Sequence, residues 1–198
     1  MVPAAEGQVD KANYGLLSQF TSIQQDRLSW SGYERNKFFH NAGGGSFFEV
    51  GSALGVDSIL DGRGVAYGDL DADGDLDLVI SNRNSPHVTI LRNDHLGAGH
   101  FLAVVLEGAG SNWMAIGAQV RVRCDGRQQL RAVTLGDGFV TQSTTTAWFG
   151  LGECETVQSV VIEWPSGTRQ SLENVRSDQR ILVTEGQPGW RSVAVAGI

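Results

Sequence analysis

The sequence predicts an all-β protein: one β-propeller-type blade followed by a β-sandwich-like domain. Three observations carry this. Short apolar runs recur along the 198 residues with turn signals between them, and no stretch shows a convincing helical period. Glycine is abundant, 26 residues against 4 prolines, which suits many tight turns. Part of the chain also echoes itself. Phe38-Phe39-His40-Asn41, then glycines, then Phe47-Phe48 recurs about 52 residues further on as Ile90-Leu91-Arg92-Asn93, Gly97, Gly99 and Phe101-Leu102, a period in the range of propeller blades and arrays. A repeat of this kind normally needs neighbours to bury its faces.

Taken in order, residues 1–29 are mixed in pattern, and Tyr14–Phe20 suits a short helix or strand. Lys37–Asn41 and Phe47–Val50 read as a hairpin around Gly43-Gly44-Gly45. Gly64–Gly68 is the next strand, Leu78–Ser81 the one after it, and His87–Arg92 the third. Further strands are expected at 101–107, 118–124, 128–134, 147–151, 157–164, 168–172 and 180–184. Asp125-Gly126, Gly136-Asp137-Gly138 and Pro165-Ser166-Gly167 supply turns between them. Val122, Val160, Ile162, Trp164, Ile181 and Val183 fall at alternate positions and predict an inner sandwich face. The expected organisation is a leader (1–29), a blade-type repeat (30–98), a sandwich (99–186) and a tail (187–198).

An apolar content of 41% with 19% charge fits a globular chain with a real core. The net charge of −7 is concentrated between Asp69 and Asp77, and the basic residues form no stripe, so nucleic acid is not an expected partner. No apolar run approaches the roughly 18 residues of a membrane-spanning helix. Met1–Gly7 lacks the basic and apolar regions of a signal peptide, and the chain is expected to be soluble; its single blade reads either as a piece of something longer or as packed on the second half. Cys124 and Cys154 fit no CxxC spacing; they read first as two buried thiols, with one disulfide as the alternative.

The candidate site is Asp69-Leu70-Asp71-Ala72-Asp73-Gly74-Asp75-Leu76-Asp77. Five carboxylates on alternate residues repel one another unless neutralised, and the loop contains no Lys or Arg. A hard divalent cation held by oxygen, Ca2+ before Mg2+, is the expected answer. Counting Asp69 as position 1, Asp71 and Asp73 fall at 3 and 5, Gly74 at 6, Asp75 at 7 with its backbone carbonyl, and Asp77 at 9, as in an EF-hand loop. Position 12 is Ile80 where an EF-hand needs Glu, and the flanks are strand-like, so the expectation is a calcium loop between two strands that Asp77 closes. A solvated acidic turn and a nucleotide-sugar DxD motif are the alternatives weighed.

Other constellations carry less. His95 and His100 read as exposed loop histidines, and Glu153 and Glu155 as solvent-facing. Gly108–Trp113 begins like a dinucleotide fingerprint but lacks its last glycine, and reads as a strand connection. Trp148, Phe149 and Trp164 read as core before they read as an aromatic platform for a sugar or peptide. No G-x-S-x-G elbow is present. With no recognisable catalytic constellation, the reading leans away from an enzyme.

Gly64–Val79 resembles the FG-GAP (VCBS-type) calcium repeat of integrin-like β-propellers, and Asn41 with its glycines and Phe47 resembles the signature preceding it. Ser111-Asn112, Ala115–Val120, Gln142-Ser143, Phe149–Gly152 and Val161–Gly167 resemble the ASPIC/UnbV domain. The ordered pair is similar to the C-terminal part of cartilage-acidic-protein-like bacterial chains. The resemblance implies a calcium-binding, non-catalytic module that engages a protein or glycan partner. It also implies a secreted or extracytoplasmic location. Its alternative implication is an accessory, or cryptic enzymatic, component of a natural-product pathway.

Overall fold

A computed structural model describes residues 34–94 and 99–194. The expected leader over 1–29 and His95 lie outside the described residues. Among the described residues, thirteen strands form four sheets, with one helical turn. By packing, the chain divides into two compact units that interleave in sequence. One comprises the described residues up to Arg63 with Ser81–Val88; the other comprises Gly64–Ile80 with the described residues from Thr89 onward. The acidic loop therefore belongs to the same unit as the two larger sheets.

In the first unit, β1 (Phe39–Gly43) and β2 (Ser46–Glu49) form an antiparallel hairpin in which Asn41 faces Phe47 and His40 faces Phe48. Gly44 and Gly45 turn the chain at φ 59° and 81°, values that side-chain-bearing residues rarely adopt. Asn41 Oδ1 accepts the Gly43 N–H at 2.9 Å and tightens the same turn. Phe39, Phe47 and Phe48 are each about three-fifths exposed. The helical turn α1 (Gly51–Leu54) follows and ends on Gly55 in the left-handed region. A three-stranded sheet runs in the order β3 (Gly62–Gly68), β4 (Asp77–Asn82), β5 (Val88–Leu91), and most of its residues belong to the second unit.

The second unit is built on two four-stranded sheets. In the first, β7 (Gln119–Cys124), β8 (Arg127–Ala132), β10 (Thr156–Glu163) and β11 (Arg169–Arg176) run antiparallel in the order β11-β10-β7-β8. The second holds β6 (His100–Glu107), β9 (Ala147–Gly152), β12 (Gln179–Thr184) and the short β13 (Arg191–Ser192), in the order β13-β12-β6-β9. Here β12 lies parallel to β6, while β9 and β13 pair antiparallel. One core joins the inner faces of both sheets, with Leu102, Phe149 and Ile181 from one side and Val120, Val160 and Ile162 from the other. All six residues expected on the inner face are buried, and Trp164 and Phe149 are core, as their strand positions predict.

Two features stiffen this sandwich. Cys124 at the end of β7 and Cys154 just after β9 form a disulfide with a Cα–Cα distance of 6.2 Å. This corrects the reading of two free thiols: the residues end strands in opposite sheets, and face-to-face packing brings their Cα atoms within bridging range. For a sequence separation of 30 the bridge is worth about 3.6 kcal/mol, so Cys124→Ser with Cys154→Ser should lower stability by that amount in urea unfolding. An unchanged midpoint would remove the bridge from the account of stability.

The second feature is Glu185, buried at the end of β12. Its Oε2 accepts the backbone N–H groups of Ala109, Gly110 and Ser111 at 2.9, 2.7 and 2.7 Å, and the Ser111 hydroxyl at 2.8 Å. Its Oε1 accepts the Ser166 hydroxyl. The loop that opens like a dinucleotide fingerprint thus spends its amides on a carboxylate of its own chain. Hydrogen bonds from Ser166 and then Ser111 outweigh desolvation and hold the Glu185 pKa at about 2, below the ordinary 4.5. A depressed carboxylate pKa stabilises the fold above the unfolded value and loses that stabilisation as pH falls through the folded one. The stability gap between wild type and Glu185→Gln should therefore be complete above pH 4.5 and close as pH falls through about 2. A gap that stays constant across a urea series over this pH range would exclude the ionised carboxylate as the clamp.

Candidate metal centre

Strands β3 and β4 deliver the acidic loop to one end of their sheet, and the backbone reverses within a few residues; Asp77 is buried while Asp71 and Asp73 stay exposed. Ala72 at φ 69° and Gly74 at φ 101° both take left-handed conformations. At Gly74 a second constraint operates. A Cβ there would lie 2.6 Å from Cε1 of Phe101, so the loop sits directly on that ring. Phe101 in turn stacks on Trp148, centroids 5.5 Å apart.

The five carboxylates of the loop do not behave alike. Asp69, Asp71 and Asp77 each bring one oxygen into a group whose members lie within 4.8 Å of one another. Asp73 and Asp75 add no side-chain atom to this group. Asp73 Oδ1 accepts the Asp75 N–H at 3.1 Å and shapes the turn. Asp77 is 1% exposed; its Oδ2 accepts the Leu70 N–H at 2.8 Å and its Oδ1 the Asn93 N–H at 2.9 Å. It closes the loop and ties down the segment after β5, with lone pairs left for a cation.

Three oxygens are buried without a hydrogen bond of good geometry: both of Asp69 and Oδ1 of Asp75. Desolvation raises the Asp69 pKa; the nearby Ala72 and Gly74 N–H groups offset this in part, and the Asp73 and Asp71 charges add to it. Desolvation, and then the charges of Asp73, Asp77, Asp71 and Asp69, push Asp75 up to about 6. Arg92 is the one cation in contact with the cluster among the described residues, at 3.7 Å from Asp71. It is mostly exposed and held first by Asp94 at 2.8 Å, so it leaves Asp69 uncompensated. Orphaned buried oxygens, raised carboxylate pKa values and an all-oxygen donor set fit a hard cation; the Asp69–Asp71–Asp77 group could hold a metal ion.

The other sequence-flagged groups resolve as follows. Glu153 and Glu155 are exposed. His100 departs from the loop reading: it opens β6, is half-buried, and its Nδ1 lies 2.7 Å from Asp178 Oδ2. Sequence reasoning missed a cavity of about 330 Å³ lined by Tyr67, Asp69, Ser143, Thr146, Trp148 and Arg180, among others. The sequence singles out Asp69, Trp148 and the Gln142-Ser143 pair separately, but nothing local joins them, because Ser143, Thr146, Trp148 and Arg180 are remote from the acidic loop in the chain.

Among the described residues, no helix is long and apolar enough to cross a membrane. The FG-GAP-like repeat family matches residues 24–80, and the ASPIC and UnbV family matches residues 108–189. Cartilage acidic protein 1 of Xenopus tropicalis is 40% identical over 67 residues, 33% of this chain. The proteins of that name from Mus musculus and Homo sapiens match equally over the same length. The matched segment spans 10% of each relative's length. The chain carries an FG-GAP-like repeat followed by an ASPIC and UnbV domain, with distant similarity to cartilage acidic protein 1.

Proposed function

We propose that this protein is a calcium-binding, non-catalytic interaction module. Ca2+ would be held by Asp69, Asp71 and Asp77, with Asp73 and Asp75 completing the loop through backbone or water. The observation that carries this is the pair of buried, unsatisfied oxygens on Asp69 within a three-carboxylate group. Calcium suits the site better than magnesium, because a carboxylate-rich shell displaces more water than magnesium gives up readily. The ion's role is to cancel the loop's self-repulsion and to hold the loop rigid on Phe101.

Two observations support an interaction role. The β1–β2 hairpin presents Phe39, Phe47 and Phe48 to the outside, and exposed aromatic patches mark contact surfaces. The Cys124–Cys154 disulfide suits an oxidising, extracytoplasmic setting, which we propose as the location. The test is equilibrium dialysis against radiolabelled calcium, together with a glycan array probed with and without chelator. Calcium retained by wild type and lost in Asp69→Asn, with array binding abolished by chelator, is the expected result. Equal retention by both proteins would overturn the metal assignment.

A further inference from the structure

The geometry points to the cavity beside Asp69 as a binding site for a carboxylate-bearing monosaccharide, a uronic acid, with Arg180 holding the carboxylate. The cavity lies wholly within the second unit. Its volume of about 330 Å³ is roughly twice the ~150 Å³ that accommodates benzene in an engineered cavity. It has room for one substituted sugar ring and too little for an extended peptide segment.

The lining holds several hydrogen-bond donors with spare capacity. Among the described residues, Arg180 is half-buried and makes one long hydrogen bond, 3.5 Å to Thr146 Oγ1, and no ion pair. Ser143 Oγ accepts the Tyr67 N–H at 3.4 Å and Thr146 Oγ1 accepts from Arg180, so both hydroxyls keep a proton to donate. Ser143 and Thr146 are 7% and 8% exposed. The Trp148 indole N–H is buried with no partner. A buried donor without an acceptor is uncommon in folded proteins and calls for a partner such as a bound water or ligand.

A donor set of this kind selects an acceptor-rich ligand. The planar guanidinium of Arg180 matches a carboxylate through two parallel hydrogen bonds. The hydroxyls of Ser143 and Thr146 match ring hydroxyls, and Tyr67 and Trp148 supply aromatic wall for a sugar's apolar face. The wall segment carries a further mark: Val140, a β-branched residue, sits at φ 54° in the loop that delivers Ser143 and Thr146. Backbone strain of this kind clusters at ligand clamps. Asp69 is the one anion in the wall, and it would repel a carboxylate unless its charge is cancelled. In that respect the inference rests on the calcium reading, and it makes sugar binding calcium-dependent.

The probes are D-glucuronate and D-glucose, titrated calorimetrically into the calcium-loaded protein. Glucuronate should bind about ten- to a hundredfold more tightly than glucose, the value of one charge-assisted bidentate contact. Arg180→Gln should remove that preference while keeping the calcium-induced rise in Tm. Chelation should weaken glucuronate binding in wild type. Calcium that leaves the Tm unmoved defeats the metal reading by itself. In protein that does show the calcium shift, glucuronate bound no better than glucose overturns the cavity assignment alone, and so does an undiminished preference in Arg180→Gln.

Discussion

Calcium at about a thousand times its dissociation constant will stabilise the folded protein by ~4 kcal/mol. For a chain of this size that is a rise in Tm of roughly 8–16 °C. The expectation follows from the state of the loop without metal. Burial and neighbouring charges raise the Asp69 and Asp75 pKa values, so ionising these groups at neutral pH opposes folding. A divalent ion reverses the sign of that effect, turning mutual repulsion into shared attraction. Asp69→Asn separates the two contributions. It removes one unfavourable charge, so the metal-free variant should melt at or above wild type, yet it should lose the calcium response. Asp73→Asn should also weaken the response, through the turn it shapes for Asp75. Magnesium should give a smaller shift, because it dehydrates reluctantly. A Tm unmoved by millimolar calcium would sink the metal reading.

The sequence displays the elements of this fold more clearly than their arrangement. Strands such as β10 and β12 are legible because one face must be apolar, and Val160, Ile162, Ile181 and Val183 mark it at every second residue. The acidic loop is legible as a candidate site because five carboxylates in nine residues repel one another. Strand order is another matter. Nothing local announces that β12 lies parallel to β6, since the partners are brought together by packing across many residues. The Cys124–Cys154 bridge is hidden for the same reason, as each cysteine looks like an ordinary strand-end hydrophobe until the two sheets face each other.

Long-range polar contacts are the least legible. Glu185 meets Ala109, Gly110 and Ser111 across more than seventy residues, and no periodicity encodes that meeting. His100 reads as a loop residue because its partner, Asp178, is equally remote. Arg180 shows only its strand position in the sequence; its place in a donor-rich cavity depends on β9 and the loop before it. Trp148 illustrates the limit in one residue. Its strand position predicts core, and it is buried, yet it also lines the cavity, and only three-dimensional packing assigns it both roles.

Gly74→Ala should destabilise the protein by about 4 kcal/mol, a large share of the 5–15 kcal/mol typical of a folded domain. Two independent penalties add. Alanine in the left-handed region, where Gly74 sits at φ 101°, costs about 1–2 kcal/mol. The new Cβ would also fall 2.6 and 2.7 Å from Cε1 and Cζ of Phe101, and overpacking of this kind costs about 1–3 kcal/mol. The ring cannot simply yield, because its other neighbour is the Trp148 ring against which it stacks. Relief must come from the loop, whose displacement would spread Asp69, Asp71 and Asp77 apart and weaken calcium binding with stability. A double-mutant cycle with Phe101→Leu distinguishes the two penalties, since leucine lacks the ring atoms that the Cβ meets. The cost of Gly74→Ala should fall by about half in the Phe101→Leu background, leaving only the backbone term. If the cost is the same in both backgrounds, the ring is not the obstacle. The acidic loop would then be held in place by its own turn and not by the sandwich beneath it.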